Sequence, residues 1–380
     1  MVAMGSNPVW IIDSTLRDGE QAPGVAFDSA GKIVLAKMLS AAGVDELEVG
    51  TPAMGEEEIS AIGRICALGL PCRLTAWCRA RKQDIDLAAL SGVAGVHISF
   101  PVSMIQLQVT GRDEAWVTAH LTELVAYAAK RFAYVSVGAL DATRAQEDFL
   151  SHFVHLAGDV GAHRVRIADT VGIATPSRTE AMIRRLSREN PSLCLEFHGH
   201  NDLGMATANT LSAVEAGAKA ISVTVNGLGE RAGNARLEEV AVALAYATGR
   251  SCGVRPEKLV ALCEKVAKMS DRPIASDKPI TGGAVFLHES GIHCDGQMKN
   301  PLAFQPFSPH EIGRGKGRLV AGKHSGRSAI RHILKESGRT LDFAKAGDLL
   351  VRIRRRAVEN GGNLSTGELV KICDELPEAV

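Results

Sequence analysis

Eight short apolar, β-branched segments recur at a regular interval along this chain, and that rhythm constrains the fold more than any other feature. They are Val9–Ile12, Leu47–Val49, Leu74–Trp77, Val96–Phe100, Tyr134–Val137, Val165–Ala168, Leu193–Phe197 and Ile221–Val225. Their starts lie roughly 22 to 40 residues apart, room for a strand, a helix and two loops. The intervening stretches have helical periodicity, as in Ile33, Leu35, Ala36 and Leu39 closed by Gly43, or Leu121, Leu124, Val125 and Ala128. Eight βα units in one run predict an α/β protein with a closed (β/α)8 TIM barrel over residues 8–272. Polar residues follow the strands: Arg17–Asp18, Arg79, Asp169–Thr170, His198–Asp202 and Asn226–Asn234. Chemistry in such barrels gathers where the strands end.

The rhythm fades after Arg272. Pro273–Gly283 is rich in Pro and Gly and reads as a linker. A smaller C-terminal appendage follows, divided into a linker and lid subdomain over 273–330 that carries His293, and a small helical subdomain over 331–380. Helices are expected at Ala344–Val358 and Thr366–Glu375.

Composition narrows the partners. The 43 basic residues balance 43 acidic ones, so no nucleic-acid partner is expected. The basic run Arg352, Arg354, Arg355, Arg356 reads as a solvated helix face. No apolar run approaches the ~18 residues of a membrane span. Met1–Pro8 lacks an export signal, and the eight cysteines have no metal-ligand spacing, so a reduced, cytoplasmic protein is expected.

The segment from Leu193 to Asp202 carries the most information. Successive strand residues alternate faces, so Glu196, His198 and His200 share one, which points into a barrel. Ionisable groups aimed inward need partners. A metal provides one, with two imidazoles as ligands and Glu196 supporting them from behind. Two satisfied histidines would give the same His-x-His pattern, but its place at the end of the seventh strand favours the metal. Asp18, just past the first strand, is a candidate anionic ligand, or a plain turn residue before Gly19. Asn226–Asn234 lacks dinucleotide glycine spacing. It suits close approach of backbone to a ligand, and Asn234 can add a carbonyl oxygen. Four ligands, Asp18, His198, His200 and Asn234, leave an octahedral ion two positions for a 2-oxo acid. Nitrogen and oxygen ligation fits Mg, Mn, Fe or Zn alike.

Six separated motifs then occur in one order: Asp13–Gln21 (DSTLRDGEQ), Glu48–Pro52 (EVGTP), His198–Asp202 (HGHND), Asn226–Asn234 (NGLGERAGN), Gly291–His293 (GIH) and Gly322–Gly326 (GKHSG). Together they resemble the acetyl-CoA-dependent Claisen-condensing synthases that make homocitrate, 2-isopropylmalate and citramalate. The sequences Trp77-Cys78-Arg79 and Phe100-Pro101-Val102-Ser103 look like the homocitrate synthase branch of nitrogen-fixing bacteria. The resemblance implies acetyl-CoA and 2-oxoglutarate as substrates. It implies Asp18, His198, His200 and Asn234 as holders of a divalent metal (Mg, Mn or Zn), with Gln21 close by. Arg17 would steady the oxygen that gains charge, and Thr170 and Glu48 would bind the oxo acid. His293 would act as base, supplied across the interface of a homodimer. Arg79, Ser136 and Thr170 stand at strand ends as candidates for pairing a second carboxylate.

Three positions depart from the family. Leu140-Asp141 replaces Glu-Asp, Phe304 stands at the appendage tyrosine, and Gln106–Thr110 lacks a His-x-Lys. These keep open a 2-isopropylmalate or citramalate synthase, with 2-oxoisovalerate or pyruvate as acceptor, and a non-catalytic relative. A metal-dependent C–C lyase is disfavoured, because the Cys-rich glycine loop of hydroxymethylglutaryl-CoA lyases is missing.

Overall fold

The computed structural model describes residues 8–343 and 345–375. Met1–Asn7, part of the stretch read for an export signal, lie outside the described residues, as do Ala344 and 376–380. The chain divides into two units, Met1–Ile274 and Ala275–Val380.

The first unit is the expected (β/α)8 barrel. Its strands are β1 (Trp10–Asp13), β2 (Glu46–Glu48), β3 (Arg73–Arg79), β4 (Gly95–Pro101), β5 (Tyr134–Leu140), β6 (Arg164–Asp169), β7 (Cys194–Gly199) and β8 (Ala220–Val223). Each is parallel to its neighbour, and β8 pairs with β1 to close the ring. Between strands run α1 (Ser29–Ala42), α2 (Glu56–Cys66), α3 (Lys82–Leu90), α4 (Met104–Thr110), α5 (Glu114–Ala129), α6 (Glu147–Asp159), α7 (Pro176–Glu189) and α8 (Ala206–Ala216). After β8 come α9 (Leu237–Ala243) and α10 (Leu259–Met269). The cap residues set the helix limits. Asp28 accepts from the Gly31 amide at the start of α1, and Gly43, in the left-handed region at φ 89°, ends it.

The barrel interior is ionic where apolar layers are usual. Glu46 and Glu48 on β2, Arg164 and Arg166 on β6, and Glu196 on β7 are all buried and share the inner face. Arg164 grips Glu46 through two bonds of 2.8 and 2.9 Å and meets Glu196 at 2.6 Å. One layer higher, Arg166 bridges Glu196 at 2.5 Å and Glu48 at 2.8 Å. Each charge has an opposite partner, which such burial requires.

The second unit has its own core, formed by residues such as Ile330, Leu334, Leu349, Ile353 and Leu369. It holds a two-stranded parallel pair, β9 (Leu287–His288) and β10 (Arg318–Leu319), and the helices α11 (Gly291–Lys299), α12 (Arg327–Glu336), α13 (Lys345–Asn360) and α14 (Thr366–Asp374). The division expected near residue 330 falls inside this unit, within α12. The segment before α13 carries more regular structure than its composition suggests, because α11 contains Gly and His and the strands span two residues each.

Candidate functional site

Strand register brings the polar residues together at the top of the barrel. His198 sits beside Ala168 of β6 and Ser222 of β8. Past the end of β7, His200 bridges to Asn234, which ties the loop after β8 to β7. The loop after β1 folds into a tight turn, with the Arg17 and Gly19 amides both donating to the Ser14 carbonyl. The Val225 amide donates to Thr15 Oγ1 and stitches this loop to the end of β8. The turn delivers Asp18. Gly233 is required in the loop after β8, since at φ 82° a Cβ there would collide with the Gly227 carbonyl. Arg231 occupies the same left-handed region at φ 55° without being glycine, and such strain collects at functional sites.

Asp18, His198 and His200 converge so that one ligand atom from each lies within 4.8 Å of the others. His198 Nε2 is 3.3 Å from Asp18 Oδ2 and 3.3 Å from His200 Nε2. Ser222 Oγ occupies His198 Nδ1 at 3.0 Å, which turns Nε2 toward the cluster. Two ring nitrogens and a carboxylate oxygen this close need a proton or a cation among them. Burial and the neighbouring His198 push His200 down to about 4, so its ring is neutral and able to ligate. Burial alone would raise the Asp18 carboxyl, but Arg17 and the two histidines outweigh it and hold the group well below the usual carboxylate range. Asn234 Nδ2 donates to the Leu228 carbonyl at 3.0 Å and lies 3.4 Å from Asp18 Oδ1. The Leu228 bond fixes the amide orientation, and Asn234 Oδ1 is left buried with no hydrogen-bond partner. This donor set, a carboxylate, two imidazoles and an orphaned amide oxygen, fits a divalent cation.

A cavity of about 180 Å3 opens beside the cluster. It falls below the ~300–1,000 Å3 of drug-sized pockets and suits a small acid. Arg17, Thr170, Arg166, His97, Trp77 and Leu140 are among the residues lining it. Glu48 grips Arg17 through Nε at 3.0 Å and Nη2 at 3.3 Å, and Arg17 Nη1 lies 3.2 Å from Asp18. Burial would raise Glu48, yet Arg166 and Arg17 hold it far below its ordinary range. Thr170 Oγ1 accepts from the Asp141 amide at 2.8 Å, leaving its hydroxyl hydrogen to donate elsewhere. Arg231 latches three loops, donating to Asp202 at 2.8 and 3.1 Å and to the Thr170 carbonyl at 2.7 Å.

Several residues expected at the site stand elsewhere. Ser136 is buried one layer down, 2.9 Å from His97 Nδ1, and does not line the cavity. Leu140, on the same face of β5 and at its top, takes that place, so the departure from Glu faces the cavity. Arg79 turns outward, half-exposed, into a two-bond clamp with Asp84. Glu48 holds arginines and is absent from the cavity wall. Glu196 engages Arg164 and Arg166, so Ser222, not Glu196, supports His198, and His200 Nδ1 is buried with no hydrogen-bond partner. Gln21 lines the cavity. His293 is exposed on α11 in the second unit, its ring centroid 4.4 Å from that of Phe304. Arg166, His97, Ser99 and Ser222 were missed. The signal for them was charge or hydroxyl at alternate positions inside strands, as in Arg164-Val165-Arg166.

Residues 8–266 match the HMGL-like family, and residues 280–361 match the homocitrate synthase post-HMGL domain-like family. The chain is 43% identical to 2-isopropylmalate synthase 2 of Caldanaerobacter subterraneus subsp. tengcongensis, over 97% of this chain and 96% of that one. It is 42% identical to homocitrate synthase 1 of a Nostoc species, over 97% of this chain and 98% of that one. Among solved structures, the HMG-CoA lyase of Bacillus subtilis superposes with a TM-score of 0.65 at 18% identity, covering 72% of this chain and 97% of the lyase. That likeness shows the barrel fold alone.

Proposed function

This chain belongs to the homocitrate and 2-isopropylmalate synthase family, and we propose that it condenses acetyl-CoA with 2-oxoglutarate and water to give (R)-homocitrate and CoA. The observation that carries the reading is one small cavity whose wall holds two guanidinium groups, Arg17 and Arg166, together with Asp18, His198 and His200. A dicarboxylate acceptor needs cations at both ends. The Nostoc relative, named a homocitrate synthase, agrees with that acceptor.

The chain's own groups would act as follows. Thr170 and Arg166 orient the oxo acid. His293 of a second copy takes a proton from the thioester methyl, and the resulting carbanion attacks the keto carbon. Arg17, held rigid by Glu48, donates a hydrogen bond to the keto oxygen as it gains charge, and that oxygen then takes up a proton equivalent to the one His293 removed, delivered through solvent. Water hydrolyses the thioester and releases the thiol. Asp18, His198, His200 and Asn234 would hold a divalent cation (Mg, Mn or Zn), which when bound would lend Lewis acidity at the ketone. The reading includes a homodimer in the cytoplasm, of the type that serves nitrogen fixation. Among the described residues no helix is long and apolar enough to cross a membrane.

Leu140 on the cavity wall and the Caldanaerobacter relative favour a second reading, with 2-oxoisovalerate as acceptor and 2-isopropylmalate as product. Thiol release from acetyl-CoA, followed with 2-oxoglutarate, 2-oxoisovalerate and pyruvate in turn, separates the two. The first reading expects the largest kcat/KM with 2-oxoglutarate. A preference for 2-oxoisovalerate would replace it with the second, and silence with every acceptor would remove both.

A further inference from the structure

The second unit gathers basic groups from two places far apart in sequence. Lys323 and His324 come from the turn between β10 and α12, and Arg354 and Arg355 come from α13. With Val358 and Glu359 they line an open hollow of about 680 Å3. In the run Arg352–Arg356 the helix sorts the charges. Positions 354, 355, 358 and 359 share the face on the hollow, as i, i+4 spacing requires. Arg356 pairs with Glu359 at 3.6 Å, which occupies the carboxylate on the rim. Among the described residues Lys323 and Arg355 have no ion-pair partner.

The turn is fixed from within. The Gly322 amide donates to Ser325 Oγ at 2.9 Å, and the Ser325 amide returns to the Gly322 carbonyl at 3.2 Å. The His324 amide donates to Glu289 Oε1 at 2.7 Å, and the His324 carbonyl accepts from Gly291 at 3.0 Å. A Cβ on Gly322 would strike Glu289 and Asn363. With its backbone groups spent inward, the turn leaves the Lys323 and His324 side chains exposed. Arg354 Nη2 donates to the Ser325 carbonyl at 3.2 Å and so ties α13 to the turn.

Lys323, Arg354 and Arg355 outnumber the one carboxylate lining the hollow, Glu359, and a fixed turn that keeps these like charges together suits an anion. The hollow is wider than one carboxylate requires. An arginine fork beside a lysine point charge matches phosphate oxygens. We propose that this hollow binds the phosphate groups of a nucleotide. Two sources share that chemistry, the 3′-phosphate and diphosphate of CoA and the diphosphate of a free nucleotide. The site goes beyond the condensation reading and stands without it.

Titration calorimetry of the full chain with CoA, 3′-dephospho-CoA and ADP at low salt tests the proposal. ADP binding is expected to weaken about tenfold in Arg355→Ala and in Lys323→Ala, and to weaken again as salt is raised. Both positions are exposed, so melting temperature should not move. Tighter binding of CoA than of 3′-dephospho-CoA, lost in Lys323→Ala, would identify CoA as the source. Equal binding of ADP and CoA would identify a free nucleotide. His198→Ala should bind ADP as the native chain does, which separates failure of this site from failure of the barrel reading. No ADP binding, or binding unchanged in both variants, overturns the proposal.

Discussion

Replacing Glu48 with Gln tests whether the ionic interior sets the position of Arg17. Glu48 is fully buried and receives Arg17 at 3.0 and 3.3 Å and Arg166 at 2.8 and 3.4 Å. Glutamine keeps the shape but removes the charge and one acceptor. Two guanidinium groups then share too little negative charge, and breaking a buried pair costs about 3–5 kcal/mol. In a domain of this size that lowers the melting temperature by roughly 6–20 °C. Glu46→Gln, one layer below, takes its charge from Arg164 and should lose comparable stability. The two should differ in function. Arg17 loses its clamp only in Glu48→Gln, where a charge-assisted bond to the oxo acid worth about 1.5–3 kcal/mol is at stake. There kcat/KM for the oxo acid should fall by about 10- to 150-fold, while Glu46→Gln stays within a few-fold of the native chain. Thermal melts and thiol-release kinetics on both variants decide it. Equal kinetic losses in the two, or none in Glu48→Gln, would refute the positioning argument.

Other perturbations follow from the same geometry. Burial raises Asp13 from 3.8 to about 7, and its Oδ2 has no partner. The folded chain therefore holds a proton that the unfolded chain releases between those values. Stability falls as pH rises from 3.8 through 7, by up to about 4 kcal/mol, and changes no further above. Asp13→Asn should remove that fall, so its melting temperature should gain on the native chain between pH 5 and 8; a gap independent of pH would contradict this. Leu140→Glu restores the family's carboxylate on the cavity wall and should weaken 2-oxoisovalerate, whose branch loses an apolar neighbour, more than 2-oxoglutarate, read as the ratio of the two KM values; an unchanged ratio would show that Leu140 does not face the acceptor. Gly233→Ala should destabilise by at least about 1 kcal/mol through its positive φ and the Gly227 carbonyl, measurable by urea unfolding.

The sequence made the barrel legible because each strand needs a short apolar run and each run is bounded by polar residues. His198 and His200 were legible for a related reason: they close a strand where side chains change from core to site. Ser136 and Arg79 were misjudged because spacing shows which residues share a face but not how high on the barrel each one stands. Register settles that, placing Ser136 beside Arg164 in the lower layer. Arg164 and Arg166 escaped notice because charge inside a strand reads as surface, and only closure of the barrel shows the glutamates opposite. In the second unit, α12 lacks a preceding strand long enough to announce it.

The central claim is that Asp18, His198 and His200, with Asn234, hold a divalent cation. Bound metal in the purified native chain and in His198→Ala, measured by elemental analysis after dialysis against Mg, Mn or Zn, tests it most directly. The account predicts one ion per native chain and none in His198→Ala, with both chains folded to the same melting profile in chelator. One ion per chain retained by His198→Ala would contradict it.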